Sequence, residues 1–317
     1  MLDGSNQFDK KTLGTSRIFN APIELVWRVW SEQKHLDNWW GPKGFTQTTH
    51  QHSFVEGGAW NFTMHGPNGV DYKNEMQYGE IKLFQKIVIK HLSLPKFTIT
   101  ANFYSINSNC TKVEFNSVFE EQSSFESVLD FAILGNLQHQ IRFEIELAKL
   151  SGGEAPIEFS ISREFHASSS LMWEMFTDPK HMAKWYGPKE TKIGYCDLDL
   201  KRGGHYHFSM IAEDGSESWG KAYYLDIINN SRLVFVNTFS DKAGSITRHP
   251  MAPLMPQKLL TFINFIDLKN GKTKVEINWL PIDASPEEIK FFNQMHESFK
   301  MGWTGSLDRL ESLVNLI

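Results

Sequence analysis

The sequence predicts an α+β protein made of two copies of one domain, each a curved antiparallel sheet around a long C-terminal helix. Three observations carry that reading. Laid over Arg163 to Lys189 without a gap, Arg17 to Lys43 is identical at 11 of 27 positions. Each copy then runs through short segments of period-two alternation separated by turn signals, the pattern of half-buried strands. Each copy closes on a long stretch of helical period that opens on a capping signal.

The repeat sets the domains. Its identities include Arg17/Arg163, Phe19/Phe165, Ala21/Ala167, Trp27/Trp173, Trp39/Trp185 and Gly41-Pro42-Lys43/Gly187-Pro188-Lys189. The same offset continues through Gly57-Gly58/Gly203-Gly204, Phe62/Phe208 and Tyr78/Tyr224. It then changes, because Thr111-Lys112-Val113-Glu114 aligns with Thr273-Lys274-Val275-Glu276, which places an insertion in copy 2 near 240–257. Copy 1 is assigned to 1–151 and copy 2 to 154–317, joined through Ser151-Gly152-Gly153-Glu154-Ala155-Pro156. Gly, Ser and Pro at that joint mark a linker.

In copy 2, Phe159, Ile161, Arg163 and Phe165 alternate with polar neighbours and form a strand. Leu171, Met172, Met175 and Phe176 take helical spacing after a Ser cluster that can cap. Asp178-Pro179 ends that helix, and a second short one reaches Trp185 before Gly187-Pro188 turns the chain. Strands are expected near 190–200, 204–212, 217–229, 232–239, 258–269 and 272–281, the last two paired through Asn270-Gly271. The closing helix has Ser285 as cap, Pro286 at its first position and Glu288 to complete a capping box. Its stripe is Ile289, Phe292, His296, Phe299, Trp303, Leu307, Leu310 and Val314. About 30 residues at 1.5 Å each give a helix near ~45 Å, long enough to cross a sheet. Copy 1 repeats the plan, with Ser123 and Glu126 as the box and Leu134, Leu137, Ile141, Ile145 and Ala148 as the stripe.

Composition narrows the function. With 41% apolar and 22% charged residues, the 317-residue chain is of the globular class. A net charge of −5 argues against nucleic-acid and anionic-membrane partners, which reward clustered Lys and Arg. Cys110 and Cys196 have no CxxC neighbour, so neither a disulfide framework nor a thiolate zinc site is expected. No apolar run approaches the roughly 18 residues of a membrane span. Met1 to Gln7 lacks the basic start and apolar core of a signal peptide, so a cytoplasmic protein is expected. Aromatics make up 13%, with 24 Phe and 10 Trp, which suits a core or a ligand cavity equally. The sequence holds no phosphate loop, nucleophile elbow, HExxH or dinucleotide fingerprint, and no cofactor is expected.

Arg-x-Phe-x-Ala, then Trp-(Trp/Tyr)-Gly-Pro-Lys, then Gly-Gly, and in copy 2 a terminal-helix Gly302-Trp303, together carry a resemblance. The chain resembles a tandem of the activator of Hsp90 ATPase C-terminal-like domain, within the START/Bet v 1-like (SRPBCC) superfamily. The resemblance implies two helix-grip domains with a cavity between sheet and helix. It implies less about activity, since the superfamily includes lipid carriers, cyclases and hormone receptors. Copy 1 departs from it at Leu134-Gly135-Asn136, where the Gly-Trp is missing. Its cavity is therefore expected to be shaped differently or filled.

The candidate ligand residues follow from strand parity and helix phase. Trp60, Phe62 and Met64 in copy 1, and Tyr206, Phe208 and Met210 in copy 2, share the face toward the helix, as core or as pocket wall. Tyr224 joins them from a neighbouring strand, and Phe299 and Trp303 from the helix. Trp39 and Trp185 read as cavity mouth or as structural plugs. Arg17 and Arg163 share parity with apolar neighbours, where a guanidinium needs a partner. That partner is either a ligand carboxylate or phosphate, or an acidic residue of the terminal helix. His296 is a polar handle, a general base or a satisfied core histidine, and His139 of copy 1 has a less clearly inward phase. His205 and His207 lie near Asp197 and Asp199 but alternate outward, so no metal site is expected. The insertion stretch Arg248 to Pro256 reads as a lid, an interdomain contact or a surface loop.

The leading expectation is a small apolar ligand in the copy 2 cavity. Two alternatives stand beside it: a cyclase- or hydrolase-like enzyme using His296 or Arg163, and a protein-interaction module, including a chaperone partner. The two copies are expected as a monomer with a pseudo-twofold domain pair or as part of a homodimer.

Overall fold

The computed structural model describes residues 7–9, 11–187, 191–249 and 251–317. The chain divides into two compact units, Met1–Ala155 and Pro156–Ile317.

Unit 1 runs β1 (Gln7–Asp9), β2 (Thr12–Phe19), α1 (Ile23–Ser31), α2 (Gln33–Trp39), β3 (Thr46–His52), β4 (Ala59–His65), β5 (Asp71–Lys82), β6 (Lys86–His91), β7 (Phe97–Asn107), β8 (Cys110–Phe119) and α3 (Gln122–Ser151). Its sheet is antiparallel throughout, in the order β1-β2-β8-β7-β6-β5-β4-β3. Unit 2 repeats it with β9 (Phe159–Phe165), α4 (Ser169–Thr177), α5 (Pro179–Trp185), β10 (Thr191–Leu198), β11 (His205–Ala212), β12 (Glu217–Ile228), β13 (Arg232–Ser240), β14 (Ile246–Thr247), β15 (Lys258–Lys269), β16 (Lys272–Pro281), α6 (Pro286–Gln294) and α7 (His296–Val314). Here the order is β10-β11-β12-β13-β15-β16-β9, with β14 against β13. Each unit is a helix-grip domain.

The repeated residues recur because the same local problems recur. Gly57 and Gly203 sit at φ +78° and +77°, where side chains are strained, and a methyl on Gly58 or Gly204 would lie 2.1 Å from the Ser53 or Asp199 carbonyl oxygen. Thr111 and Thr273 each donate a 2.8 Å hydrogen bond to the carbonyl of Ala21 or Ala167, tying a strand to the first loop. Trp39 and Trp185 are buried plugs whose indole N–H donates to the last turn of the preceding helix, at Val29 (2.9 Å) and Met175 (2.8 Å).

Three sequence expectations change. The copy 1 capping box does not form: α3 starts two residues earlier, with Glu121 as an N-cap that makes no side-chain bond, so Ser123 lies inside the first turn. Ile141 is buried as expected, together with Phe143 and Leu147, whereas Ile145 and Ala148 are only half-buried. His139, Gln140 and Glu146 also face inward there, which hid the apolar period. In unit 2 the expected single helix is broken at Met295. The Met295 amide bonds the Phe292 carbonyl at 3.1 Å, an i→i−3 closure that tightens the turn and separates α6 from α7. The capping box of α6 forms as written, with Ser285 and Glu288 satisfying each other's backbone N–H.

The strands joined by a short connection at 92–96 in unit 1 are joined in unit 2 by 241–257. This strap adds β14 to the sheet edge and is pinned to α6, where Arg248 meets Glu288 at 2.5 Å and the Pro253 carbonyl at 2.9 Å.

Candidate functional site

Unit 2 holds a cavity of about 460 Å³ between its sheet and α7. Strand register builds the floor. Phe208, Gly220 and Phe239 form one cross-strand row, and Asn237 and Leu259 belong to the next. Gly220 is part of the shape: a methyl there would sit 2.7 Å from Cζ of Phe208, so the ring lies over bare backbone. The roof is α7, through Phe299, Gly302, Trp303 and Ser306. The strap closes one side with His249, Met255, Pro256 and Gln257. Ser218, Ser298 and Gly302 line the cavity and are also exposed, which places its mouth between β12 and α7.

An aromatic belt stiffens the wall. Phe299 meets Trp279 at 5.4 Å between ring centroids, Trp279 meets Trp303 at 5.7 Å, Trp303 meets Tyr186 at 6.2 Å and Tyr186 meets Phe208 at 5.7 Å, all edge to face. Burial pushes the Tyr186 phenol up to about 12, so it stays a neutral donor.

Unit 1 has a small cavity of about 40 Å³ at a different place, where α3 faces β2 and β8, with room for little more than water. Trp40 lies 4.9 Å from Trp60, 5.1 Å from Trp39 and 6.0 Å from His139. Arg142 of α3 donates to the Gly41 carbonyl and Arg309 of α7 to the Gly187 carbonyl, which sets the two helices in register. In that register Trp40, Trp60 and His139 stand where unit 2 has Tyr186, Tyr206 and Ser306. Two indoles and an imidazole in unit 1 are thus two phenols and a hydroxymethyl in unit 2.

The predicted residues divide. Phe208, Met210, Phe299 and Trp303 line the large cavity, while Arg17 and Trp39 line the small one. Trp60 and Phe62 are packed core, at 0% and 1% exposure. Trp185 is the plug described above. Tyr206 and Tyr224 lie behind the wall, Tyr206 stacked on Phe208 at 4.6 Å, and burial raises both phenols. His296 is not in the cavity lining but at the α6–α7 junction, the core histidine of its three readings, among Phe159, Phe292 and Phe299. There it bonds the Ile157 backbone, and burial lowers its pKa. Neither arginine is available as an anion anchor: Arg17 meets Glu144 at 2.7 Å and Arg163 meets Asp308 at 2.5 Å, both on the terminal helices. Sequence reasoning missed Trp279, Asn237, Gly220 and Ser306, since only cross-strand register and the α7 contact bring them together.

His205 pairs with Asp197 at 3.0 Å on the outer face. Among the described residues, Glu174, Asp178 and His181 have metal-compatible spacing, but His181 bonds Glu174 at 3.1 Å and an Asp178 oxygen caps α5. No helix among the described residues is long and apolar enough to cross a membrane.

The family described as activator of Hsp90 ATPase homolog 1-like protein matches residues 20–132 and 166–315. The chain belongs to this family. Both units are thus activator of Hsp90 ATPase homolog 1-like domains. No curated protein matches the chain. A solution structure from Arthrobacter aurescens is 20% identical, covering 46% of this chain and 91% of its own, at a TM-score of 0.43. A crystal structure from Nitrosomonas europaea is 22% identical, covering 51% and 97%, at 0.42. The di-domain ARO/CYC BexL, of the BE-7585A biosynthetic pathway, is 11% identical and covers 95% of this chain and 97% of its own, at 0.41.

Proposed function

We propose that unit 2 binds a small, largely apolar molecule and that unit 1 serves as scaffold. The cavity of about 460 Å³ between sheet and α7 carries this reading, and Trp40 packed on Trp60 where unit 2 has Tyr186 and Tyr206 supports the assignment of unit 1. A ligand pocket is typically concave, mainly apolar and a few hundred Å³, which the unit 2 cavity satisfies. The enzymatic alternative has lost its best groups, since His296 is bonded away from the cavity and Arg163 is paired.

Gly302 supplies the test. A methyl there meets nothing within 4 Å, and the residue stands at the mouth. Gly302→Phe should keep the fold, because glycine inside a helix is itself unfavourable by about 1 kcal/mol. It should also block uptake of apolar ligands seen by native mass spectrometry. Wild-type protein that neither retains nor takes up any molecule from an apolar panel would end this reading.

A further inference from the structure

The lining of the cavity says more than that its occupant is apolar. We propose that the occupant is an uncharged, flat aromatic molecule carrying neutral hydrogen-bonding groups at its edge. This rests on unit 2 being the ligand site.

Charge is the first argument. Among the described lining residues there is no Lys, Arg, Asp or Glu. The nearby cations are engaged elsewhere, Arg309 on the Gly187 carbonyl and Arg163 on Asp308. A carboxylate or ammonium moved from water into this wall would lose its hydration and find no Lys, Arg, Asp or Glu among the described lining residues to pair with.

Shape is the second. The belt from Phe299 through Trp279, Trp303 and Tyr186 to Phe208 is edge to face at each step, with interplanar angles of 66°, 65°, 68° and 81°. Alternate rings therefore differ in whether a face or an edge is free, and a flat ring can add stacked or T-shaped contacts that a chain of methylenes cannot. A rigid ring system also gives up less conformational freedom on binding than an alkyl chain of equal carbon count.

The polar groups are the third. Asn237 on the floor and Gln257 on the strap each add a carbonyl acceptor and an NH₂ donor to the lining. On the strap His249 accepts the Met251 N–H at Nδ1, 3.1 Å away, so the neutral ring carries its proton on Nε2 as a further donor. Asn237 and Gln257 suit hydroxyl and carbonyl groups better than bare hydrocarbon, because a buried amide left unpaired is costly.

Binding to the full-length chain can be followed by energy transfer from Trp219, Trp279 and Trp303, all in the lining, to a pyrene acceptor. The probes are 1-hydroxypyrene, pyrene and pyrene-1-carboxylate, with 1-dodecanol as displacer. Hydroxypyrene should bind at least about tenfold more tightly than the carboxylate and resist displacement by dodecanol, a difference of about 1.4 kcal/mol or more. Asn237→Leu with Gln257→Leu should bring hydroxypyrene down to the level of pyrene and leave pyrene unchanged. Equal or tighter binding of the carboxylate, efficient displacement by dodecanol, or indifference to the double substitution overturns this inference while leaving the cavity a ligand site. Failure of all four probes to bind in wild type, with Gly302→Phe behaving identically, overturns the proposed function along with it.

Discussion

A methyl group on Gly204 would sit 2.1 Å from the Asp199 carbonyl oxygen, while one on Gly203 would meet nothing within 4 Å. The two glycines of one turn are therefore needed for different reasons, one for space and one for its φ of +77°. Gly203→Ala should cost about 1 kcal/mol and Gly204→Ala about 3 kcal/mol or more in urea unfolding. Equal losses would show that the close approach is not what matters. His139 gives a second prediction at this scale. Burial, with Arg142 adding repulsion, holds its pKa at about 4. The unfolded chain protonates near the ordinary value of about 6.5, so the folded state is at its full relative stability above that pH. Stability should then fall as pH drops from about 6.5 to about 4, by on the order of 2 kcal/mol. Thermal melts of wild type and His139→Asn across that window should converge at low pH; parallel curves would remove His139 as the cause.

The strap and its anchor belong to the scale of elements. Arg248 is half exposed and Glu288 nearly buried, and the same Glu288 also closes the capping box of α6. Arg248→Ala should cost the unit about 1–2 kcal/mol, since it takes one partner from a nearly buried carboxylate, and should release the strap. Hydrogen exchange in 241–257 should then quicken while β13 and β15 stay protected. Ser285→Ala acts on the other end of the same element and should cost about 1 kcal/mol without loosening the strap. If the strap loosens only with Ser285→Ala, the helix start and not the ion pair holds it.

Across the whole molecule, the two copies of one fold differ in what lies under the terminal helix. In unit 1 Trp40 packs against Trp39, Trp60 and His139, whereas Tyr186, its counterpart in unit 2, lines the cavity beside Trp303. Removing a ring from a filled core leaves a void, while removing one from a cavity wall enlarges a space already there. Trp40→Ala should therefore cost about 3–5 kcal/mol and Trp303→Ala clearly less. Denaturant titration of the two variants checks the order, and the reverse order would mean that the cavity of unit 2 is closed in solution.

The sequence by itself determined the duplication, the α+β class, nearly every strand of unit 2 and both short helices, because these rest on local signals. Period-two alternation, Asp178-Pro179, Asn270-Gly271 and the Ser285-Glu288 box each act over a few residues. It also favoured plugs for Trp39 and Trp185 and placed the insertion that became the strap. The tertiary structure alone decided which residues face the cavity. Gly220, Asn237 and Trp279 are far apart in the chain and meet only through antiparallel register, and Ser306 counts because α7 lays it on the Gly187 carbonyl. His139 was unreadable since its helix buries polar groups, and His296 is the core histidine among its three readings, packed between Phe159, Phe292 and Phe299. An open cavity is a difference between large volumes summed over distant side chains, and no local pattern records that difference.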